Sequence, residues 1–219
     1  MRRTARALFT AGVLILTLGV AAPAQAARAH PIPMKGTLVG TETIYPAGTW
    51  DYYGYFVDPG PKADFDVDGD GQTDYTCSEP AHELVVSTLT GNVSHLGKVT
   101  REQTYCAFWE GEGQYRIFDF TQVLTAANGD TMELGKGPFE SAELDGWTYF
   151  AAETPILGGT GRFVGASGTL FEDGRMAAPW WPEGFPYTTE GNEPWVKELS
   201  LTYTRDSHIT YDASRRAEE

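Results

Sequence analysis

An acidic loop carries the clearest set of candidate metal ligands in this chain of 219 residues. In DVDGDGQTD, four aspartates occupy relative positions 1, 3, 5 and 9, and a glycine occupies position 6, where a calcium-binding loop turns sharply. Carboxylate oxygens suit a hard cation, and the glutamine would add its backbone carbonyl. The spacing therefore predicts a structural calcium site whose ligands are Asp66, Asp68, Asp70, Gln72 and Asp74.

The last position of this calcium pattern departs from expectation. Position 12 holds Cys77 in place of a bidentate glutamate, so another carboxylate, such as Glu79, would have to complete the coordination shell. The alternative is a solvated acidic turn that holds no ion, although four neighbouring carboxylates repel one another in that state. The segment also resembles the DxDxDG loops of thrombospondin type 3 and dockerin modules.

An aromatic segment, PWWPEGFPYTTEGNEPW, is the second candidate for binding. Its prolines stiffen the chain, and rings on a stiff loop can present flat apolar faces to a ligand such as a sugar. The alternative is a long connection whose rings pack against the domain as a plug, since large aromatic side chains are mostly buried. The sugar hypothesis assigns ligand contacts to Trp180, Trp181, Tyr187 and Trp195.

Catalytic residues cannot be assigned from motifs, because the sequence contains neither GxSxG nor HExxH. GGTGRFVGASGTL is as glycine-rich as a phosphate-binding loop, but Gly165 comes one residue too late, and strand-like residues follow where a helix is required. We therefore predict a compact turn with Phe163 packed inward. If an acid on or near a predicted strand faces an interior cavity, it is a candidate for acid–base chemistry; these acids are Glu102, Asp119, Glu133 and Glu143.

The first 26 residues have the organisation of a secretory signal peptide, with basic residues, an apolar run and Ala24-Gln25-Ala26. A membrane anchor is the alternative, but the apolar run is shorter than the roughly 20 residues that span a bilayer. We predict that residues 27–219 form one secreted domain without a membrane span. The net charge of −14 makes nucleic acid an unfavourable partner, because surfaces that bind it are basic.

The chain has two cysteines, Cys77 and Cys106, and both lie in the exported part. An even number of cysteines outside the cell predicts a disulfide, worth roughly 3–4 kcal/mol for a loop of this length. The alternative is a catalytic or metal-binding pair of thiols. Neither a CxxC motif nor clustered histidines support that alternative.

Apolar residues of the exported part recur at every second position, which predicts strands rather than helices. The pair Asn128-Gly129 separates two alternating runs and predicts a tight hairpin. Several short antiparallel strands predict a sandwich or a closed barrel, with insertions at about 58–80 and 174–195. The predicted strands cover residues 36–44, 51–57, 83–90, 98–108, 115–125, 131–135, 147–152, 169–171 and 196–203.

Three glycine-rich segments, GGTGRFVGASGTL, TAANGD and GNVSHLGKVT, resemble the recurring segments of small secreted bacterial proteins with an allene oxide cyclase-like barrel. The wider superfamily includes plant dirigent proteins. The resemblance covers about residues 84–168 and the last strand. It implies an eight-stranded antiparallel barrel with a central cavity, which in the enzymes of that superfamily steers a reactive apolar intermediate to one product. The catalytic residues of those enzymes do not match positions of this chain.

Together these observations predict a secreted all-β barrel that binds a small apolar or amphipathic molecule in the barrel or under the aromatic segment. An isomerase or cyclase is one alternative, and it requires a carboxylate or tyrosine hydroxyl that faces the cavity. A calcium-stabilised carbohydrate-binding module is another, and it requires exposed tryptophans. An interaction protein with no ligand requires a barrel filled by its own side chains. The oligomeric state stays open.

Overall fold

The computed structural model describes residues 31–46, 49–50, 56–58, 64–111, 114–177, 194–204 and 206–211. No helix in these ranges has the length and hydropathy needed to cross a membrane. The ranges contain a 3-10 turn at Gly161–Phe163 and the strands β1 (Ile32–Pro33), β2 (Gly36–Pro46), β3 (Thr49–Trp50), β4 (Phe56–Asp58), β5 (Asp64–Phe65), β6 (Tyr75–Thr76), β7 (Glu83–Val93), β8 (Gly97–Gly111), β9 (Gln114–Ala126), β10 (Thr131–Leu134), β11 (Phe139–Leu144), β12 (Trp147–Gly159), β13 (Ser167–Ala177), β14 (Trp195–Tyr203) and β15 (His208–Thr210).

Eight of these strands close into an antiparallel barrel, which confirms the predicted fold class. Neighbouring strands follow the order β13, β14, β2, β7, β8, β9, β10 and β12, and the pairing of β12 with β13 closes the circle. Each barrel strand corresponds to one run predicted from the alternation. The remaining predicted run, 51–57, lies outside the described residues except at 56–57, which belong to β4.

The sequence did not predict three strands at the margins of the barrel, or the full lengths of β12 and β13. The run predicted for β12 ended at residue 152, whereas the strand continues to Gly159. β11 pairs with β12, β15 pairs with β13, and β1 pairs with β15. The prediction of 169–171 for β13 was too short, because Asp173 and Gly174 have low strand propensity. Hydrogen bonding to β12 and β14 on both sides extends this strand to Ala177.

The barrel interior changes character along its axis. Near one end, here called the packed end, inward side chains form a continuous apolar cluster in which Leu38, Leu124, Met132, Phe163 and Leu170 are fully buried. Alternate residues of each strand face this cluster, as expected for a barrel with a filled interior. At the opposite end, here called the cavity end, the inward side chains leave a cavity.

A second apolar cluster covers the outside of the barrel, where it packs against β7 and β8; it consists of Phe65, Cys77, Ala81, Leu84 and Cys106. The predicted disulfide between Cys77 and Cys106 is confirmed, and it ties the acidic-loop region to the barrel wall. Asp119, which has a positive φ of 49°, accepts hydrogen bonds from Ser78 N at 2.5 Å and from Ser78 Oγ at 2.6 Å. The wall is therefore buried on both faces in this region.

The turns predicted from glycine are also confirmed. Asn128 and Gly129 connect β9 to β10, and Gly129 has a φ of 88°, a conformation that glycine adopts without strain. The GGTGRFVGASG stretch forms a compact turn in which Phe163 is buried, and it leads into β13 rather than into a helix. A nucleotide-binding fingerprint would need that helix.

Candidate functional site

A cavity of about 350 Å³ occupies the cavity end of the barrel. This volume falls at the lower end of the range typical for small-molecule sites. One side of the cavity is lined by residues from the range 135–141, which includes the start of β11. The rest is lined by inward residues of β2, β7, β8, β9, β12, β13 and β14. The cavity therefore lies inside the barrel, between the mouth and the packed apolar cluster.

Polar side chains form a continuous belt across five neighbouring strands at this level. Each member is the register partner of the next: Lys197 on β14, Glu42 on β2, Ser87 on β7, Gln103 on β8 and Gln122 on β9. Because directly opposed residues of antiparallel strands point to the same face, all five side chains share the inner surface of the barrel. We call these five residues the polar belt.

Two glutamates and a lysine form the first ionisable group of the cavity end. Glu42, Glu83 and Lys197 are each at most 6 % exposed. Ser87 Oγ donates a hydrogen bond to Glu42 Oε2 at 3.1 Å, whereas Glu42 Oε1 is buried without a hydrogen-bond partner among the described residues. The trio places two carboxyl groups and one amine in a region with little access to water.

Burial dominates the protonation of this trio. It raises the pKa of Glu83 to about 8, and the neighbouring Glu42 raises it further while Lys197 opposes the shift. Burial also raises the pKa of Glu42, against the opposing effects of Lys197 and of the Ser87 hydrogen bond. Desolvation lowers the pKa of Lys197 to about 8, although Glu42, Glu83 and Glu143 favour its charged form. Near neutral pH, Glu83 therefore holds a proton.

An ion pair forms the second ionisable group. Arg101 Nη2 lies 3.1 Å from Glu172 Oε2, and both side chains are buried. Arg101 also donates a hydrogen bond to Gln103 Oε1 at 3.3 Å. It donates to the side-chain oxygen of Gln122 as well when that amide is oriented with its oxygen toward Arg101. Burial raises the pKa of Glu172, and Arg101 and Thr154 counter this effect. Arg101 thus links Glu172 to the polar belt.

Apolar and aromatic side chains complete the cavity wall. Tyr105 and Phe120 stack with ring centroids 6.3 Å apart, and Phe139 and Phe150 stack at 5.6 Å. The Phe150 ring lies directly against the backbone of Gly174, where an added Cβ would come within 2.1 Å of its Cζ. Glycine at this inward position is therefore required for the ring to occupy its place in the wall. The cavity can accommodate an apolar body beside a polar group.

The acidic loop brings three of the five predicted calcium ligands together. Carboxylate oxygens of Asp66, Asp68 and Asp74 lie within 4.8 Å of one another on an exposed surface. The Asp70 carboxylate instead accepts hydrogen bonds from the backbone and the side chain of Gln72, both at 2.8 Å.

Two residues near the end of the acidic loop have other partners. Glu79 forms an ion pair with Arg116, so it does not join the other acids. Cys77 is held in the disulfide. Calcium binding by the loop stays a prediction.

The aromatic segment lies largely outside the described residues. Trp180, Trp181 and Tyr187 are not described, and only the backbone of Trp195, at the start of β14, is. The strands that flank the segment, β13 and β14, end and begin at the cavity end, where Ala177 pairs with Trp147 and Trp195 pairs with Ile44. The sugar hypothesis for these residues stays a prediction.

None of the four acids considered from the sequence faces the cavity. Glu102, Glu133 and Glu143 are exposed, and Asp119 bonds to Ser78. The acids that do face inward are Glu42, Glu83 and Glu172. His82, at the start of β7, is buried and stacks on Phe108 at 4.3 Å, and burial lowers its pKa to about 4.

Alternation could have identified two of the inward acids. Glu42 is in phase with Leu38 and Ile44 on β2, and Glu172 is in phase with Leu170 and Met176 on β13. An acid in phase with buried apolar residues is a signal for an inward-facing polar group. Glu83 gave no such signal, because Leu84 and Val85 are both buried, one on each face of β7.

Comparisons with known proteins add no further assignment. No family model matches the chain, and no curated protein and no solved structure matches it either.

Proposed function

We propose that this protein binds a small amphipathic molecule inside the barrel. The observation that carries the proposal is the 350 Å³ cavity, which combines apolar and aromatic walls with a belt of buried polar groups. A barrel that served only as a rigid interaction surface would fill its interior with its own side chains, as the packed end does. Buried polar groups beside an apolar wall fix the orientation of a bound molecule.

A matched pair of substitutions on β12 tests the proposal. Ala152 lines the cavity, whereas Ala151, the preceding residue, faces outward and is exposed. We expect Ala152→Trp to weaken binding of the neutral fluorophore prodan at least about tenfold, because the indole fills the cavity. Ala151→Trp should leave binding unchanged. Equal affinities in fluorescence titrations of both variants and the parent protein would refute the proposal, and mass spectrometry of copurifying small molecules would identify the natural ligand.

An isomerase or cyclase is the second candidate, and Glu83 favours it. A carboxyl group with a pKa of about 8 can donate a proton to a ligand oxygen at neutral pH, and Glu42 beside it can accept one. An acid paired with a base in this way can catalyse a rearrangement that proceeds by proton transfer. This candidate is tested by incubating the copurifying molecule with the protein and analysing the mixture by chromatography. The Glu83→Gln variant should bind the molecule but not convert it. Conversion at the parent rate would exclude Glu83 as the acid.

We further propose that the protein is secreted and that it belongs to the allene oxide cyclase-like group. Residues 1–26 have the pattern of a signal peptide, and the confirmed disulfide suits an oxidising compartment, which supports secretion. The closed barrel and the glycine turns support membership of the allene oxide cyclase-like group. Sequencing of the mature N-terminus tests export, with Ala27 expected as the first residue.

Calcium is proposed as a structural ligand of the acidic loop, supported by the approach of Asp66, Asp68 and Asp74. Its place outside the barrel wall makes it independent of the cavity. A carbohydrate-binding role for Trp180, Trp181, Tyr187 and Trp195 is a further candidate, supported by the run of aromatic residues and prolines in the sequence.

A further inference from the structure

Resting on the proposed binding function, we propose that the ligand is a monocationic amine with a small apolar body, and that its ammonium group binds at Glu42 and Glu83. Three independent observations lead to this class of molecule: the charge inside the barrel, an unsatisfied carboxylate oxygen and the aromatic walls.

Among the described residues, the buried charges of the cavity end do not balance. Three buried carboxyl groups, of Glu42, Glu83 and Glu172, stand against two buried basic groups, of Arg101 and Lys197. The Arg101 guanidinium is committed to Glu172 at 3.1 Å. Lys197 alone then faces two carboxyl groups, and burying an uncompensated carboxylate costs several kcal/mol. One more positive charge, from a proton or from a ligand, completes the balance.

The other titratable groups do not supply that charge. Burial lowers the pKa of His82 to about 4 and raises the pKa of Tyr203, so both are neutral near pH 7. The Tyr105 hydroxyl adds no cation to the wall. Lys136 also lines the cavity, but its side chain is exposed and donates a hydrogen bond to the Ile117 carbonyl at 3.2 Å, so its charge is screened by water from the buried carboxyl groups. The exposed Glu143 carboxylate favours the charged form of Lys197, and it adds a negative rather than a positive charge.

One oxygen of the Glu42 carboxylate also lacks a hydrogen-bond donor among the described residues. Its Oε2 accepts from Ser87, but its Oε1 is buried and has no partner among the described residues. Leaving such an acceptor unsatisfied is costly, and a charged donor is the strongest compensation. Glu42 lines the cavity, so an ammonium group can reach it from within.

The aromatic walls favour the same ligand. Tyr105, Phe120, Phe139 and Phe150 all line the cavity. Ring faces attract cations, and more so where water is excluded. A carboxylate beside aromatic rings therefore favours an amine over an alcohol or a carboxylic acid of equal size.

Binding of an ammonium ion displaces the proton that balances the empty site. Glu83 holds this proton near neutral pH, because its pKa is about 8. When the ammonium ion enters, Glu83 ionises and one proton leaves for the solvent. The affinity should therefore rise by up to about tenfold for each pH unit from about pH 6 to about pH 8, and then level off.

Isothermal titration calorimetry with three probes of equal chain length tests the inference: hexylamine, hexan-1-ol and hexanoate. At about pH 8, hexylamine should bind at least about tenfold more tightly than hexan-1-ol, and hexanoate should bind most weakly. Parallel titrations in phosphate and Tris buffers, which differ in ionisation enthalpy, should show release of up to one proton with the amine and none with the alcohol.

Two variants locate the effect. Glu83→Gln keeps the shape of the side chain but cannot ionise, so it should abolish proton release and weaken the binding of hexylamine about tenfold relative to that of hexan-1-ol. Glu102→Gln, on the outer face of β8, is the matched control and should behave like the parent protein.

The outcomes separate this inference from the proposed function. Binding of hexan-1-ol or hexanoate as tightly as hexylamine, or amine binding without proton release, would overturn the amine assignment and leave the cavity as a binding site. Failure of all three probes in a protein that still binds prodan would overturn it as well. If prodan affinity is also insensitive to Ala152→Trp, the binding function itself fails.

Discussion

The two ends of the barrel use the same strands for opposite purposes. At the packed end, inward positions carry apolar side chains that form one buried cluster, and Phe163 from the glycine turn belongs to it. At the cavity end, inward positions of the same sheet carry Glu42, Glu83, Lys197 and the Arg101–Glu172 pair. Since a β-barrel fixes which residues face inward but not their chemistry, one strand can serve both stability and binding.

This contrast has an energetic consequence. Burial of apolar surface at the packed end stabilises the fold by about 25 cal/mol per Å². Each buried ionisable group at the cavity end costs free energy unless it is paired. The packed end and the disulfide-linked outer cluster therefore offset the cost of the cavity end, and substitutions at the two ends should differ in their effect on stability.

The largest expected effect is loss of packing at the packed end. Phe163 is fully buried and meets the edge of the Tyr211 ring at a centroid distance of 5.8 Å. Phe163→Ala should lower the free energy of unfolding by about 3–5 kcal/mol, because it leaves a void in a filled interior. Phe120→Ala, in the cavity wall, should cost only about 1–2 kcal/mol, since the cavity already borders that ring. Urea denaturation measures both, and equal losses would contradict the contrast.

The sequence predicted the packed end better than the cavity end. Alternation located the eight barrel strands, and the glycine-rich turn was correctly predicted to pack Phe163 inward. The same alternation did not show the phase of β8, because Ala107 faces the cavity while Cys106 and Phe108 face the outer cluster and the Arg116 side chain. Where both faces of a strand are covered, apolar residues occur in both phases and the inward acid or base is hidden.

The composition of the cavity depends on register as well as on phase. Lys197, Glu42 and Ser87 meet because three strands that are distant in sequence pair in a particular alignment. Nothing local in β14 or β2 specifies that alignment, so a single sequence cannot predict the polar belt. The acidic loop is the opposite case, because its candidate ligands lie within nine consecutive residues, and the spacing alone predicted the approach of Asp66, Asp68 and Asp74.

Breaking the buried ion pair should have the next largest effect. Arg101→Met leaves Glu172 without its cation and should cost about 2–4 kcal/mol at pH 7. The loss should shrink in the double variant Arg101→Met/Glu172→Gln, because the neutral amide needs no counter-charge. Lys98→Met, at an exposed position of β8, is the control and should change stability by only about 0.5 kcal/mol. If the double variant is as unstable as the single one, the pair is not the source of the loss.

Glu83 should make stability depend on pH in a direction opposite to that of an acid whose pKa is lowered on folding, for example by an ion pair. Its pKa rises from 4.5 to about 8 on folding, so the folded state holds a proton that the unfolded state releases. The contribution is fully present below pH 4.5 and is lost as the pH rises toward 8. Between pH 5 and 7.5, the parent protein should lose on the order of 3 kcal/mol relative to Glu83→Gln.

Two checks isolate this pH effect. Lys197, whose pKa falls from 10.5 to about 8, acts in a separate window, because its contribution is lost only as the pH falls through 8. Urea denaturation of both proteins at several pH values below 7.5 therefore reports Glu83. Parallel stability curves for the parent protein and Glu83→Gln would show that Glu83 is not protonated in the folded state.

Calcium should have the smallest effect, and it should act on neither end of the barrel. The acidic loop lies outside the wall, so a bound ion would stabilise the fold by mass action, raising the melting temperature by about 2–6 °C at millimolar calcium. Asp68→Asn, which keeps an acceptor oxygen but loses the charge, should abolish the rise, whereas Asp173→Ala, at an exposed position of β13, should retain it. Differential scanning calorimetry with calcium and with EDTA measures the shift, and an unchanged melting temperature in the parent protein would exclude the site.

Prodan affinity should be the same with calcium and with EDTA, because no residue of the acidic loop lines the cavity. A calcium-dependent affinity would instead mean that the outer loop and the cavity end form one site.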